Sequence, residues 1–314
     1  MLQLILKVIG WYLVLRAAYG MFRIIQELFL LKELDLADRY GKGSWAFITG
    51  STDGIGLEFA IQLAKRGFNI ALLARNKQKM NEKEDLIKKA NPSVQVRKIE
   101  IDFKDSADVA LLEKIVEDTK DIDISMLINN VGVGTMGTPV LDMKMQTALD
   151  MIVINCIPQA IFDRLLLPRL WSRSKRGCVL DVSSVASLAN LPGKEIYSAS
   201  KFFNKAINNS FAMAGAIRKD NVDYLTLKPG FVKTGLTGER EIDAITCDTT
   251  QCVLGALKAL GQKSETFGAS KHVLFGGCLE LLFFLVPLPV LLKYRNTLYG
   301  LVKYKAFTNA SVAQ

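Results

Sequence analysis

The chain has 314 residues, half of them apolar, and its 40 Lys+Arg against 31 Asp+Glu give a net charge of +9. That length fits one large α/β domain or two ordinary ones, and the apolar share with a mean hydropathy of +0.21 excludes long intrinsic disorder. Five cysteines without a CxxC pair and a single histidine, His272, exclude a Cys/His metal site and a disulfide scaffold, and match a reducing compartment. The positive balance suits an anionic lipid or a phosphorylated substrate. No aromatic-basic interleaving supports it as a nucleic-acid surface, so no nucleic-acid partner is expected. A hydrolase would have to use His272, which sits just before an apolar tail, and that reading is set aside.

Residues 1–31 are strongly apolar but carry Lys7, Arg16, Arg23 and Glu27. A signal peptide needs an uninterrupted apolar core and a small-residue cleavage site. Arg16 breaks the core and no such site follows, so the segment is expected to be retained. On a helix, Arg16, Gly20, Arg23 and Glu27 share one narrow stripe and the remaining circumference is apolar. This pattern suits a helix that spans a membrane or lies in its interface. Residues 1–40 are therefore read as an N-terminal membrane anchor, with Gly41-Lys42-Gly43 as the boundary.

From Gly43 short apolar runs alternate with helical stretches: Trp45–Thr49, Ile70–Leu73, Val94–Ile101, Met126–Ile128, Val179–Val182 and Tyr224–Leu227. Amphipathic segments such as Leu57–Arg66 and Ala107–Thr119 fill the intervals. Strands alternating with helices predict an α/β fold, a Rossmann-type doubly wound parallel sheet, as a single catalytic domain over residues 41–262. No seventh strand is legible before the apolar tail.

The first strand leads into Thr49-Gly50-Ser51-Thr52-Asp53-Gly54-Ile55-Gly56, with a helix following. Glycines there allow a tight turn and a close backbone approach to a pyrophosphate, and the helix N-terminus adds amide donors. The second strand ends at Ala74-Arg75. An acidic residue near that point would suit a free ribose hydroxyl; a guanidinium matches a 2′-phosphate, so NADP(H) is favoured over NAD. Asp102 ends the third strand, Asn129-Asn130-Val131-Gly132 follows the fourth, and Ser184 follows the fifth. Tyr197-x3-Lys201 then opens a helix. Tyr and Lys four apart share a helix face, where an ammonium stabilises the phenolate and should lower the Tyr197 pKa toward neutrality.

The second apolar block runs from Val273 to Leu292 with Glu280 as its single charge. Twenty helical residues would span a bilayer core of about 30 Å. Pro287 and Pro289 argue instead for a shallow or re-entrant element. Lys293, Arg295, Lys303 and Lys305 follow and point the flank to the cytosol or an anionic leaflet. Residues 263–314 are read as a C-terminal membrane-associating extension.

The ordered set T-G-x3-G-I-G, Asp102, N-N-x-G, an Asn before a Leu-Pro helix, Ser184, Y-x3-K and Pro229-Gly230 resembles the short-chain dehydrogenase/reductase family over about residues 43–235. TGSTDGIG, NNVG and the apolar N-terminus resemble the branch containing microsomal very-long-chain 3-oxoacyl-CoA reductases and certain 17β-hydroxysteroid dehydrogenases. The resemblance implies Tyr197 as proton donor to the substrate carbonyl and Ser184 as its hydrogen-bond partner. It implies Lys201 as the group that lowers the Tyr197 pKa and holds the nicotinamide ribose, and Asn155 as support for a water relay to Lys201. Pro158, three residues on, is expected in the first turn of its helix. The glycine turn (Gly50, Ser51, Thr52, Asp53, Gly54, Ile55, Gly56) and Arg75 would hold the nucleotide. Asp102 would contact the adenine amine, Asn129 the neighbouring ribose, and Pro229, Gly230, Val232 and Thr234 the nicotinamide. Gly235 to Thr250 would carry substrate identity.

The expected activity is NADPH-dependent reduction of a keto group on a lipid-like substrate, foremost a long-chain 3-oxoacyl-CoA, with a steroid or retinoid as the alternative. A membrane partner, an endoplasmic reticulum location with the catalytic domain facing the cytosol, and a homodimer through the helices bearing Y-x3-K go with the resemblance. An inactive scaffold would usually lack the Tyr or the Lys; both are present.

Overall fold

Each of the six apolar runs becomes a strand in a computed structural model that describes residues 1–135, 138–189, 191, 193–238 and 240–286. They are β1 (Trp45–Thr49), β2 (Asn69–Ala74), β3 (Val96–Glu100), β4 (Ile124–Asn129), β5 (Gly177–Val182) and β6 (Val222–Leu227). Between them lie α3 (Gly54–Lys65), α4 (Lys77–Ala90), α5 (Val109–Glu117), α6 (Met145–Trp171) and α7 (Glu195–Arg218). A two-stranded ribbon, β7 (Phe231–Val232) with β8 (Thr246–Cys247), precedes α8 (Thr249–Ala259). A seventh sheet strand, β9 (Glu265–Thr266), pairs in parallel with β6. The order is β3-β2-β1-β4-β5-β6-β9, so the chain reverses direction across the sheet between β1 and β4. A crevice opens at the carboxyl ends of the strands at such a reversal.

The inner strands read as continuous apolar runs because helices cover both faces. All residues of β1, β2, β4 and β5 are buried. One face packs Ile48, Leu72 and Leu180 against Leu63 and Leu257. The other packs Phe47, Leu127 and Val179 against Phe162 and Leu166, with the Phe47 and Phe162 rings edge to face at 5.1 Å. β3 is the partly exposed edge strand and is shorter than the expected Val94–Ile101. β9 escaped the sequence reading because two residues carry no periodicity. It lies beyond residue 262, so the sheet reaches into the segment read as the C-terminal extension.

The N-terminal segment also divides differently from the expected 1–40 anchor. In α2 (Leu36–Tyr40), Leu36 and Tyr40 are buried in the domain core, and Arg39 Nε and Tyr40 Oη donate to Asp223 at 2.6 and 2.8 Å. α1 (Leu2–Ile25), prolonged by a π-helical turn (Gln26–Leu30), buries Ile24 and exposes Leu, Ile, Trp and Phe side chains along its length. It is long and apolar enough to cross a membrane. α6 matches that description too, but half of its apolar stretch is buried, as in a core helix.

The charged stripe of α1 faces α9 (Ser270–Leu285). A Cβ on Gly277 would lie 2.6 Å from Ile24, so glycine sets the close approach of the two helices. The Arg16 guanidinium sits 4.6 Å over the Phe284 ring. Glu27 pairs with Lys263 at 2.5 Å and accepts from Thr266. Glu280 turns toward the domain and, with Glu265, flanks the fully buried Lys228. The described part of the second apolar block is one helix, docked on α1 and tied to β6 and β9 through Lys228. Pro287, Pro289 and the basic flank from Lys293 to Lys305 lie outside the described residues.

Candidate active site

A cleft of about 400 Å³ opens at the β1/β4 reversal, lined by Gly50, Thr52, Asp53, Arg75, Asp102 and Val131 to Gly134 among others. Gly50 has φ +64°, and a Cβ there would lie 3.0 Å from the Val131 backbone. A Cβ on Gly56 would lie 2.4 Å from the Gly50 carbonyl. Only glycine permits this turn, which leads directly into α3. The helix begins three residues earlier than the expected Leu57 because Asp53 accepts from the Gly54 amide at 2.7 Å. Asn130 Nδ2 ties the turn to β4 by donating to the Thr49 and Gly50 carbonyls at 2.9 and 3.1 Å. Exposed Arg75 and half-buried Asp102 stand at the far end. This cradle fits a dinucleotide.

Two members of the glycine segment do other work. The buried Ser51 hydroxyl turns to the Leu73 carbonyl at 3.4 Å, and Ile55 packs on the core. Asn129 departs from its expected place beside the ribose. Its side chain turns inward, and Nδ2 donates to Asp163 and Asp181 at 2.8 Å each. The adjacent Asn130 faces the glycine turn instead.

At the other end, Ser184 caps the turn Val185–Leu188 by accepting from the Ala186 amide at 3.1 Å. Tyr197 enters from the first turn of α7, on the same side as Ser184. Lys201, one turn on, is 4% exposed and donates to the Val182 carbonyl at 2.8 Å. The strand-4 loop threads between them. A Cβ on Gly134 would lie 2.8 Å from the Tyr197 ring, and one on Gly132 would lie 3.1 Å from Lys201 Nζ.

Electrostatics departs from expectation here. Burial pushes the Tyr197 phenol up, opposed by Ser184. Burial lowers Lys201 to about 8, against support from Cys156 and Asp181. The phenol is thus protonated at neutral pH, and the ammonium is the group poised to titrate.

Asn155 reaches the site but differs in context. Oδ1 accepts from the Val133 amide at 2.8 Å, while Nδ2 donates to the Val133 carbonyl and the Ser200 hydroxyl, both at 2.9 Å. Its own carbonyl accepts from Asn204 Nδ2 at 2.7 Å. Pro158 lies in the middle of α6, away from the first turn. Val232 is buried, and the Thr234 methyl meets the glycine turn: a Cβ on Gly54 would lie 3.0 Å from it. The Pro229 carbonyl accepts the Val185 amide at 3.0 Å, joining this loop to the Ser184 turn.

The sequence reading missed Asn204 and the buried pair Asp163 and Asp181, and weighed His272 only as a hydrolytic residue. Each is a polar side chain in an apolar stretch, a signal that does not distinguish a burial site from a surface one. His272 has no hydrolytic geometry: its Nδ1 accepts from the Gly230 amide at 3.2 Å. All five cysteines are free. Among the described residues no three His, Cys, Asp or Glu side chains gather as a metal site.

Residues 44–244 match the family model for short chain dehydrogenases. A very-long-chain 3-oxoacyl-CoA reductase of Mus musculus is 33% identical over 275 residues, 84% of this chain and 83% of its own. A putative steroid dehydrogenase 2 of Caenorhabditis elegans is 30% identical over 287 residues, 87% of this chain and 88% of its own. Among solved structures, a 7β-hydroxysteroid dehydrogenase superposes with a TM-score of 0.65 at 22% identity, over 75% of this chain and 90% of the other, a likeness of fold. The sheet, the glycine cradle and the Ser-Tyr-Lys cluster thus occur together in a chain that belongs to the short-chain dehydrogenase/reductase family, an oxidoreductase working with a nicotinamide cofactor.

Proposed function

We propose that this chain is a membrane-associated, NADPH-dependent reductase that converts a keto group on a long-chain acyl thioester, foremost a 3-oxoacyl-CoA, to a hydroxyl. The single observation that carries the lipid part is where the catalytic serine sits. Val185 and Leu188, in the turn that Ser184 caps, pack against Ile24 of α1 and Phe267 and Val273 beside and in α9. The carbonyl end of the site therefore abuts the helix pair whose outer surface is apolar, and a substrate could arrive from lipid without crossing water. The reductase named in the mouse relative supports the substrate class.

The cofactor, when bound, supplies the hydride. Gly50 and Thr52 of the glycine turn would hold its phosphates, and Asp102 its adenine. Arg75, at the end of β2, suits a 2′-phosphate through a charge-assisted fork. Ser184 donates to the substrate carbonyl oxygen and orients it. Tyr197 Oη gives that oxygen its proton as the carbon is reduced; a phenol that burial keeps protonated is already in the form reduction needs. Lys201, charged below about 8, offsets the negative charge then left on the phenolate oxygen. Asn155 holds the Val133 loop, and through it Gly132 and Gly134, against Lys201 and Tyr197.

The test is oxidation of NADPH and NADH by membranes bearing the chain, against 3-oxoacyl-CoAs of graded length, 17-ketosteroids and retinals. Preference for NADPH with long 3-oxoacyl-CoAs supports the proposal. Steroid turnover insensitive to acyl-CoA would favour the second reading, a hydroxysteroid dehydrogenase, which the nematode relative's name supports. A chain recovered wholly in the soluble fraction would overturn the membrane part.

A further inference from the structure

The only histidine of the chain is fully buried in the first turn of α9, against the Gly230 loop. Its two ring nitrogens have different partners. Nδ1 accepts the Gly230 amide at 3.2 Å, and Nε2 lies 3.1 Å from the Ile245 carbonyl. An amide needs an acceptor and a carbonyl needs a donor, so the partners assign a neutral ring with its proton on Nε2. Contact is close: a Cβ on Gly230 would lie 2.8 Å from the ring. The neighbouring Lys271 Nζ donates to the Asp243 and Thr246 carbonyls at 2.9 and 3.0 Å. Cys247 Sγ, in β8, lies 3.7 Å from Nδ1.

These contacts join three parts of the molecule. Gly230 belongs to the loop that follows β6 and closes, through Thr234, over the glycine turn. Ile245 belongs to the segment between Gly235 and Thr250, the segment read as carrying substrate identity. The β7–β8 pairing links the two, but it is only two residues long. His272 adds a hydrogen bond to each side of that short ribbon, and it stands on α9, the helix packed against α1. A ribbon this short is marginal alone, so its geometry depends on what clamps it.

We propose that His272 is a positioning residue for the reaction. Its neutral ring fixes the cofactor-side loop at Gly230 and the substrate-side loop at Ile245 in one register, and ties both to α9. This rests on the functional reading above for which loop faces which ligand. It does not rest on that reading for the clamp itself. Neither ring nitrogen is free to touch substrate, so the role is geometric, with no proton transfer.

The two nitrogens can be tested separately. Asn at 272 places an amide near the Nδ1 position and keeps an acceptor for Gly230. Gln places one near Nε2 and keeps a donor for Ile245. Leu keeps bulk and neither bond. With the full-length chain in membranes or detergent, NADPH binding is read by cofactor fluorescence, turnover as kcat and KM, and loop order by hydrogen exchange of the Gly230 and Ile245 segments. His272→Leu should weaken NADPH binding and raise the substrate KM, each about tenfold, the size expected for one buried hydrogen bond. His272→Asn should restore NADPH binding but leave KM high. His272→Gln should do the reverse. Exchange should quicken in both segments of the Leu variant and in one segment of each amide variant. Equal binding constants and exchange in all four proteins, with a change in melting temperature alone, would overturn the proposal. A wild-type chain that reduced no ketone but kept the coupled exchange pattern would overturn the function and leave the clamp standing.

Discussion

The α1–α9 buttress and the candidate active site both bury charge, and they treat it in opposite ways. In the buttress each buried charge meets its opposite: Lys228 lies between Glu265 and Glu280, and Glu27 meets Lys263. The result is fixed charge. Burial alone would raise Glu265, but Lys228 and Lys205 outweigh it and hold the carboxyl at about 2. In the candidate active site burial outweighs the support that Asp181 gives Lys201 and Gln159 gives Asp181. Lys201 donates only to a carbonyl among the described residues, Tyr197 is pushed up, and Asp163 and Asp181 share one amide with no cation bonded to either. Burial pushes Asp163 up to about 7. Paired charges lock structure, whereas unpaired ones sit near neutrality, where a proton moves at little cost.

The largest effect should come from removing the central unpaired group. Tyr197→Phe keeps the ring and its contact with Gly134 but loses the proton donor. General acid catalysis contributes roughly 10²–10⁴-fold, so kcat should fall at least a hundredfold with NADPH affinity unchanged. Near wild-type turnover in steady-state kinetics would place the donor elsewhere.

Breaking a locked pair should cost stability and spare chemistry. Lys228→Met strands Glu265 and Glu280, and one broken buried pair costs about 3 kcal/mol. Melting temperature should drop by several degrees, while kcat in the still-folded protein holds. The same pair has a pH signature. Glu265 has a depressed folded pKa, so its contribution is full above the unfolded value near 4.3 and is lost as pH falls through about 2. Acid denaturation should therefore show stability falling between about pH 4.5 and 2 in the wild type, and a smaller fall in Glu265→Gln.

The cofactor end should respond on a smaller scale. A charge-assisted contact contributes about 1.5–3 kcal/mol, so Arg75→Asp should shift preference toward NADH at least tenfold. Equal wild-type use of both cofactors would remove Arg75 from that role. Reduction itself should lose rate as pH rises through about 8, where Lys201 gives up its proton. Lys201→Arg should move that limb to higher pH in a kcat/KM profile, because a guanidinium stays charged.

The smallest effect concerns the shared acid pair. Asp163 has a raised folded pKa, so the folded state holds its proton while the unfolded chain has released it. The resulting stability is present below the unfolded value near 4 and lost as pH rises through about 7. Asp163→Asn should therefore gain more stability at pH 8 than at pH 5 in paired melting curves, and equal gains would mean that the carboxyl is not protonated.

Much of this was legible in the residues themselves. Six strands, the glycine turn, Arg75, Asp102, Ser184, Tyr197 and Lys201 follow from patterns that are local in sequence. An apolar run, a turn that tolerates no side chain, and a pair four apart on one helix each declare themselves within a few residues. The stripe of α1 was legible as well, because helical periodicity aligns Arg16, Gly20, Arg23 and Glu27 without any knowledge of what they face. What the tertiary structure alone decided is long-range. β9 is too short for a pattern, and it exists because Thr226 and Leu227 offer an edge. Asn129 and Asn130 are adjacent, and only the packing of α6 decides which one turns inward. The four-residue spacing of Tyr197 and Lys201 reports proximity but not the desolvation that pushes one up and the other down. His272 and Glu280 lay in an apolar tail and acquired meaning only when that tail folded back on residues some 40 to 50 positions earlier. Periodicity is a property of a segment; burial and hydrogen-bond partners are properties of the folded whole, and they decide what an ionisable group does.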